Sequence, residues 1–344
     1  MNELKLAGQK LRWSIIFFLF LLCAGVTLWS FQIFSQQYSP VDPSDTRFFD
    51  VVIPEKSSAR QVAAILKKHD LINSEAAFLA YCRKKGIDDQ LKAGHYRFSR
   101  SQSLGEIAEN IAEGRVVKLS FTVPEGYTVE QIGQLMIDKG ICTEKEWEEA
   151  ISAGYDFDFL DQVPSGQENR LEGFLFPDTY VISEDASARQ VINLMLANFA
   201  EVWNENFAQQ AKKQGYDVYE VIIKASMIER EAMVEEERKT IAGVIENRLE
   251  KGMPLQIDAT VLYSLHEHKN TVTYEDLEVD SPYNTYKYAG LPPGPIACPG
   301  KASIEAALNP ENHHYYYYVS KGDGSHYFSR TYAEHLQAMR KYSN

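Results

Sequence analysis

The sequence is poor in cysteine and lacks any pattern typical of a disulfide-rich or thiolate metal-binding protein. Its 344 residues include four cysteines, and none of them belongs to a CxxC pair. They are Cys23, Cys82, Cys142 and Cys298. A free thiol behaves as a small buried hydrophobic group, so we expect separate packed thiols outside the apolar N-terminal segment. No disulfide framework is predicted.

Dense runs of lysine and arginine are also missing. The formal net charge is -13 at pH 7, whereas nucleic-acid binding depends on a concentrated basic patch that neutralises phosphates. Nucleic acid is therefore excluded as an expected partner.

The chain has no H-E-x-x-H motif, which would place two histidines and a base on one helix face. The patterns that come nearest are His266-Glu267-His268 and the pair His313-His314. In a helical H-E-H pattern the two imidazoles diverge, so solvated or packed histidines are the simpler interpretation. We predict neither a metal site nor a cofactor.

One long apolar segment is present, from Trp13 to Phe34. It contains no charged residue, and as a helix it would be about 33 Å long, against a hydrocarbon core of about 30 Å. Three basic residues precede it and acidic residues follow it, so the positive-inside tendency predicts a cytoplasmic N-terminus. A cleaved signal peptide is the alternative, but the run is longer than a typical one and no A-x-A-like site follows.

This segment sets the predicted organisation of the N-terminal part of the chain. Residues 1–35 are interpreted as a cytoplasmic tip and a transmembrane anchor that crosses the cell membrane once. Residues 36–47, which are polar and contain proline, are interpreted as a linker. All later residues are then expected to be extracytoplasmic.

A strand-turn-helix pattern occurs twice, at an offset of about 70 residues. VIPEKSSARQVAAIL begins at Val52 and TVPEGYTVEQIGQLM begins at Thr122. The first copy predicts a short strand ending near Pro54 and a helix capped by Ser57 or Ser58. Small α+β units share this rhythm, so the pattern alone does not assign a carbohydrate-binding role.

A later helix carries two candidate acids. Asp217 and Glu220 form a D-x-x-E capping box at its start. Its apolar stripe is formed by Val221, Ala225, Ile228 and Ala232. At about 100° per residue, Glu229 and Glu231 both lie at the margin of that stripe, where partial burial can raise the pKa of a carboxyl group. Periodicity does not choose between them, and ordinary solvated charges are the alternative.

The C-terminal part combines irregular loops with a predicted β-hairpin. GLPPGPIACPG (residues 290–300) can only be a conformationally restricted loop. Residues 315–319 and 326–329 flank Lys321-Gly322-Asp323-Gly324, a hairpin signal. Four consecutive tyrosines, residues 315–318, are expected to alternate between the faces, half of them buried and half exposed.

Seven segments in order resemble the endolytic murein transglycosylase family, also called MltG or YceG-like. They are LEGFLFPDTY (residues 171–180), ASMIEREA (residues 225–232), ENRL, GMPLQIDATV, YNTY, GLPPGPI and HYFS. The resemblance covers nearly the whole chain. It implies an α+β fold, with a LysM-like α+β subdomain at residues 48–118 and a larger mixed α+β catalytic domain at residues 119–344.

In that family the essential residue is the second glutamate of the E-x-E pattern, which by position is Glu231. The resemblance implies lytic cleavage of the bond between N-acetylmuramic acid and N-acetylglucosamine, with Glu231 as acid and then base and without water. Substrate contacts are expected from Gln256, Asp258, Asn284 and Tyr286, with Asp178 positioning a loop. For each of these a loop-fixing hydrogen bond is the alternative.

The resemblance also implies partners and a cellular role. The expected partners are peptidoglycan glycan strands, the membrane and cell-wall synthesis proteins, for an enzyme that ends glycan elongation. A scaffold that binds peptidoglycan without cleaving it is the alternative, because exposed aromatic residues can also hold sugar rings. Formation of 1,6-anhydro-muramyl ends separates the two.

Overall fold

Helices and short two-stranded sheets make up the computed structural model, which describes residues 36–265 and 272–342. Within these ranges six strands pair into three sheets, so the predicted mixed α+β class is confirmed. The predicted anchor from Trp13 to Phe34 and the pattern at residues 266–268 lie outside the described residues. In the described ranges, none of the helices combines the length and the apolar character needed to cross a bilayer.

The chain divides into two compact units. The first comprises the residues up to Leu119 together with Ser183–Asp185, and the second comprises Ser120–Ile182 and the residues from Ala186 onward. All residues of the candidate site described below belong to the second unit.

The first unit is built on one antiparallel strand pair. It contains β1 (Phe48–Ile53), α1 (Ala59–Lys68), α2 (Glu75–Lys85), β2 (Gly94–Ser99) and α3 (Leu104–Glu113). In the register of β1 and β2, Val51 lies opposite Tyr96, and both side chains are buried in the core against the helices. Since the side chains of a strand alternate between its two faces, the neighbours of Val51 along β1 face solvent. The 60% exposure of Val52 illustrates this alternation.

The predicted strand-turn-helix repeat is present in the structure. α1 begins at Ser58 with a capping box to Gln61, and α4 (Val129–Asp138), which follows β3 (Lys118–Thr122), begins at Thr128 with a capping box to Gln131. Each box satisfies helix N–H groups that have no partner within the helix. The LysM-like character of residues 48–118 and its carbohydrate-binding role stay predictions.

The second unit is mostly helical. It continues with α5 (Glu144–Ile151), β4 (Thr179–Ser183), α6 (Ala188–Val202), α7 (Glu205–Gln214), α8 (Val218–Glu231), α9 (Arg238–Glu250), α10 (Asp258–Leu265), α11 (Lys301–Leu308), β5 (Tyr317–Ser320), β6 (His326–Ser329) and α12 (Tyr332–Tyr342). Single 3₁₀ turns lie at Asp158–Gln162, Glu235–Glu237 and Asp276–Glu278. β4 pairs with β3, and β6 with β5.

Helix α8 is the central element of this unit. It starts with the predicted capping box of Asp217 and Glu220 and packs against α7, α9, α10 and α11. Burial extends beyond the predicted stripe, because neighbouring helices cover it on several sides. Even Lys224 is buried, where its ammonium group pairs with Glu246 at 2.6 Å and lies over the ring of Tyr216. The site at the end of α8 is therefore built on a firmly held helix.

The hairpin of β5 and β6 forms as predicted, but its tyrosines differ from the expected pattern. Tyr317 lies opposite Ser329 and Tyr318 opposite Phe328. Tyr315 to Tyr318 are all partly buried, so the expected division into two buried and two exposed rings is wrong. On one face of the hairpin, helix α12 and Arg248 cover the ring of Tyr317. On the other face, Tyr318 lies beside α8.

The described cysteines are separate buried thiols, as predicted. Cys82, Cys142 and Cys298 are all unpaired. Burial raises the pKa of the Cys82 thiol to about 11, so this thiol stays protonated and unreactive at neutral pH.

Candidate active site

Glu231 is the last residue of α8. The backbone leaves the helix at Ala232, whose extended conformation (φ -80°, ψ 115°) turns the chain away from the helix axis. The side chain is half-buried, and its Oε2 accepts a hydrogen bond of 2.8 Å from the hydroxyl of Tyr318. Glu231 is thus neither sealed in the core nor fully exposed, which a group that exchanges protons with a ligand requires.

The surroundings of Glu231 favour its protonated form. Burial raises its pKa above the usual value of a glutamate, although the hydrogen bond from Tyr318 opposes this effect. The charge of Asp258 raises the pKa further, whereas His326 and Arg230 lower it. Desolvation is the largest influence and disfavours the charged carboxylate, which is the direction of shift that a general acid requires.

Glu229, the other candidate acid, is held in structural contacts. Its side chain is only 6% exposed and accepts a hydrogen bond from Arg238 at 3.1 Å. Its second oxygen accepts one from the backbone N–H of Gly300, where α11 begins, at 3.0 Å. Glu229 therefore joins α8 to α9 and α11.

Two predicted site residues lie in the electrostatic neighbourhood of Glu231. Asp258 is exposed at the start of α10 and accepts a short hydrogen bond from the hydroxyl of Tyr286. The charge of Glu231 contributes to a raised pKa of Tyr286, after burial and the Asp258 hydrogen bond. The structure thus brings Asp258 and Tyr286 together near Glu231.

Gln256, another predicted contact, has an unusual backbone. Its φ of 52° lies in the left-handed region, which is strained for residues with a Cβ atom and is often found at functional sites. Arg248 fixes the preceding segment by donating to the carbonyls of Pro254 and Leu255. It also contacts the Gln256 side chain at 3.4 Å. The exposed amide of Gln256 is therefore held on a rigid turn.

The assignment of Asn284 as a substrate contact is corrected by the structure. Its side chain is fully buried. The amide nitrogen donates to the carbonyls of Leu277 and Val279, and the amide oxygen accepts from the backbone of Tyr286. Asn284 therefore fixes the loop that carries Tyr286 and is not accessible to a sugar.

Asp178 also makes local contacts. Its carboxylate accepts hydrogen bonds from the backbone of Thr179 and from the side chain of Asn198 on α6. These bonds hold the start of β4, and the loop-positioning role of Asp178 stays a prediction. Within the described part of the chain, no contact joins Asp178 to Glu231.

Sequence reasoning missed three residues around Glu231. Tyr318 was one of four similar tyrosines, and His326 was part of a motif without an assigned role. Glu237, which binds His326 at 2.8 Å, was one member of an acidic run. Tyr318 lies 87 residues from Glu231, so no local spacing indicates the contact.

A second buried carboxyl lies elsewhere in this unit. Glu172, in the LEGFLFPDTY segment, is 3% exposed and accepts hydrogen bonds from the backbone of Val129 and from Tyr263. Burial raises its pKa to about 8. It borders a cavity of about 650 Å³ that is also lined by Arg230 and Tyr283. Its contacts connect the N-terminus of α4 to the core, a role that explains its burial.

The described residues contain no cluster of side chains suited to a metal ion. What the site offers is one half-buried carboxyl with a hydroxyl partner, next to an aspartate and exposed polar groups. The fold and site therefore define a mixed α+β protein whose candidate chemistry is general acid-base catalysis by a single glutamate.

Comparison with known proteins places the chain in a family. Residues 51–341 match the model of the YceG-like family, and the chain belongs to this family. The endolytic murein transglycosylase of Bacillus subtilis is 37% identical over 315 residues, which cover 88% of this chain and 87% of that protein. The endolytic murein transglycosylase of Streptococcus pneumoniae D39 is 31% identical over 359 residues, covering 96% of this chain and 65% of that protein.

A solved structure is similar as well. The crystal structure of a YceG-like protein from Listeria monocytogenes has 36% sequence identity and a TM-score of 0.57, and the match covers 85% of this chain and 99% of that one.

Proposed function

We propose that this chain is a lytic transglycosylase that cleaves peptidoglycan strands internally, with Glu231 as its acid and base. The observation that carries the proposal is the half-buried Glu231 carboxyl, which is bound by Tyr318 and whose pKa burial raises. The relatives named endolytic murein transglycosylase support the substrate class and the reaction type.

The reaction needs two proton transfers, both through Glu231. Protonated Glu231 donates its proton to the glycosidic oxygen as the bond between N-acetylmuramic acid and N-acetylglucosamine breaks. The resulting carboxylate then takes the proton of the 6-hydroxyl of the same muramic acid, and that oxygen bonds to the anomeric carbon. The product is a 1,6-anhydro end, and Glu231 is protonated again.

An intramolecular nucleophile explains why one carboxyl is sufficient. In glycosidases that use water or a covalent intermediate, a second carboxylate serves as base or nucleophile. Here the 6-hydroxyl is already part of the sugar, so its attack has the large proximity advantage of an intramolecular reaction.

The residues around Glu231 have distinct roles in this mechanism. The Tyr318 hydroxyl stabilises the Glu231 carboxylate that forms after the first proton transfer, because a hydrogen bond to a charged acceptor is stronger than one to a neutral group. Asp258 supplies negative charge near the positive charge that develops on the sugar. Gln256 and Tyr286 present polar groups to the bound strand.

The proposal also includes a location at the cell membrane. The uncharged segment from Trp13 to Phe34 anchors the chain, and the catalytic residues act outside the cytoplasm on strands near the membrane. The LysM-like residues 48–118 bind the same glycan, and the enzyme ends strand elongation in association with cell-wall synthesis proteins.

The test is the formation of anhydro ends. Full-length protein in detergent is incubated with uncrosslinked glycan strands, and the products are analysed by mass spectrometry. Glu231→Gln retains an acceptor for the Tyr318 hydroxyl but has no acidic proton, so we expect the rate to fall at least about a hundredfold. The matched control is Glu236→Gln, because Glu236 is exposed five residues away.

Two results would contradict the proposal. Unchanged turnover by Glu231→Gln removes Glu231 from the mechanism. Strand binding by the wild type without any anhydro product supports the non-catalytic scaffold instead.

A further inference from the structure

The side chain of His326 is held by a neighbouring carboxylate. Glu237, the last residue of a 3₁₀ turn, accepts a hydrogen bond of 2.8 Å from Nδ1 of His326. The same carboxylate accepts the backbone N–H of His326 at 3.0 and 3.1 Å. The two side chains are only 10% and 15% exposed. The imidazole is therefore fixed in both position and rotation.

This contact determines which ring nitrogen is free. A carboxylate can only accept hydrogen bonds, so Nδ1 carries the hydrogen, and in the neutral ring Nε2 has a lone pair. Within residues 36–265 and 272–342, Nε2 has no hydrogen-bond partner, and it is not among the buried polar atoms that lack one. Nε2 is thus an accessible hydrogen-bond acceptor with a fixed direction.

His326 lies on the same wall of the site as Glu231. Its ring meets the ring of Tyr318 edge to face, with 5.3 Å between the centroids. The hydroxyl of Tyr318 binds Glu231, and the charge of His326 acts on the Glu231 carboxyl. A chain of contacts therefore runs from Glu237 to Glu231. It passes through His326 and Tyr318.

The arrangement resembles the acid–histidine pairs of many active sites, in which the acidic residue orients the histidine toward the reacting molecule. A purely structural histidine would be satisfied at both nitrogens or would lie away from the site. Here one nitrogen is used for orientation and the other remains available beside the catalytic acid.

We propose that His326, oriented by Glu237, is a further residue of the site that contacts substrate. Its Nε2 accepts a hydrogen bond from a hydroxyl of the bound sugar. This inference rests on the proposed function. The hydrogen bond positions the sugar ring against Glu231. The ionisable groups that contact His326 or interact with its charge are Glu237 from the 3₁₀ turn, Tyr318 from β5 and Glu231 from α8.

The experiment measures kcat/KM for anhydro-end formation between pH 4.5 and 9, with full-length protein in detergent. His326→Phe keeps the ring contact with Tyr318 but removes the acceptor. Because one hydrogen bond to substrate is lost, we expect kcat/KM near neutral pH to fall about tenfold. His326→Gln, whose amide oxygen can accept the same hydrogen bond, should lose less activity than His326→Phe. Exposed His314→Gln is the control and keeps the wild-type profile.

A second variant separates orientation from folding. Glu237→Leu removes the acceptor that orients the His326 ring, so we expect kcat/KM to fall about tenfold, mainly through a higher KM. Glu237→Gln keeps an acceptor for Nδ1 and should recover most of this loss, a rescue that a merely structural contact would not give.

The inference is overturned if His326→Phe has the wild-type kcat/KM, or if Glu237→Gln recovers none of the activity that Glu237→Leu loses. Either result leaves the proposed function intact as long as Glu231→Gln is inactive. An active Glu231→Gln variant contradicts the proposed function itself.

Discussion

Replacing Tyr318 by phenylalanine isolates one hydrogen bond to the catalytic carboxyl. The hydroxyl donates to Glu231 at 2.8 Å and lowers its pKa, against the larger effect of burial. A hydrogen bond to a charged group contributes about 1.5–3 kcal/mol, and one pKa unit corresponds to about 1.4 kcal/mol. Removing the hydroxyl should therefore raise the pKa of Glu231 further, because the effect of burial is then no longer opposed by this hydrogen bond.

The direction of the effect on activity follows from the role of Glu231 as an acid. The carboxyl must be protonated to donate, so activity falls on the alkaline side as the proton is lost. With Tyr318→Phe this alkaline limb of kcat/KM should move to higher pH. The maximal rate should fall, because the hydroxyl also stabilises the carboxylate formed during the reaction.

The assay is the pH dependence of anhydro-end formation, measured for Tyr318→Phe and for a matched control. Tyr327→Phe is suitable, because Tyr327 lies on the same hairpin with its side chain 44% exposed. An alkaline limb that stays in place, or moves to lower pH, would refute the claim that Tyr318 stabilises the Glu231 carboxylate.

Two further variants test stability. Glu172, whose pKa burial raises from 4.5 to about 8, keeps its proton in the folded state at pH values where the unfolded chain has lost it. The wild type therefore loses stability relative to Glu172→Gln as pH rises from 4.5 to 8, by about 1.4 kcal/mol of unfolding free energy per pH unit. Urea unfolding at several pH values measures this difference. A difference that does not change with pH contradicts the prediction. At Gln256, where φ is 52°, replacement by glycine should change the free energy of unfolding by less than about 1 kcal/mol, whereas valine should lose at least about 1–2 kcal/mol. Equal losses in the same measurement would show that this backbone is not strained.

Local elements were predictable because their signals are local. The capping boxes at Ser58, Thr128 and Asp217 lie within four residues of chain, and each begins a helix in the structure. The hairpin followed from its glycine-containing turn and flanking β-branched and aromatic residues. These features are determined by backbone and side-chain groups that are already neighbours in sequence.

The candidate site was only partly predictable. Periodicity placed Glu229 and Glu231 equally near the margin of the helix, and the family resemblance chose between them. The structure shows why they differ, since Glu229 is bound by Arg238 and by the start of α11. Asn284 carried the same sequence signal as Tyr286, but its amide is used inside the loop.

The sequence by itself determined the mixed α+β class, the helix that carries the two acids and the family to which the chain belongs. Only the tertiary structure decided which groups surround Glu231, because Tyr318 and His326 reach it from a hairpin far along the chain. Burial raises its pKa, and burial is a property of packed surfaces that no short stretch of sequence contains. Contacts between distant residues form together when the core packs, so their partners follow from the fold and not from spacing.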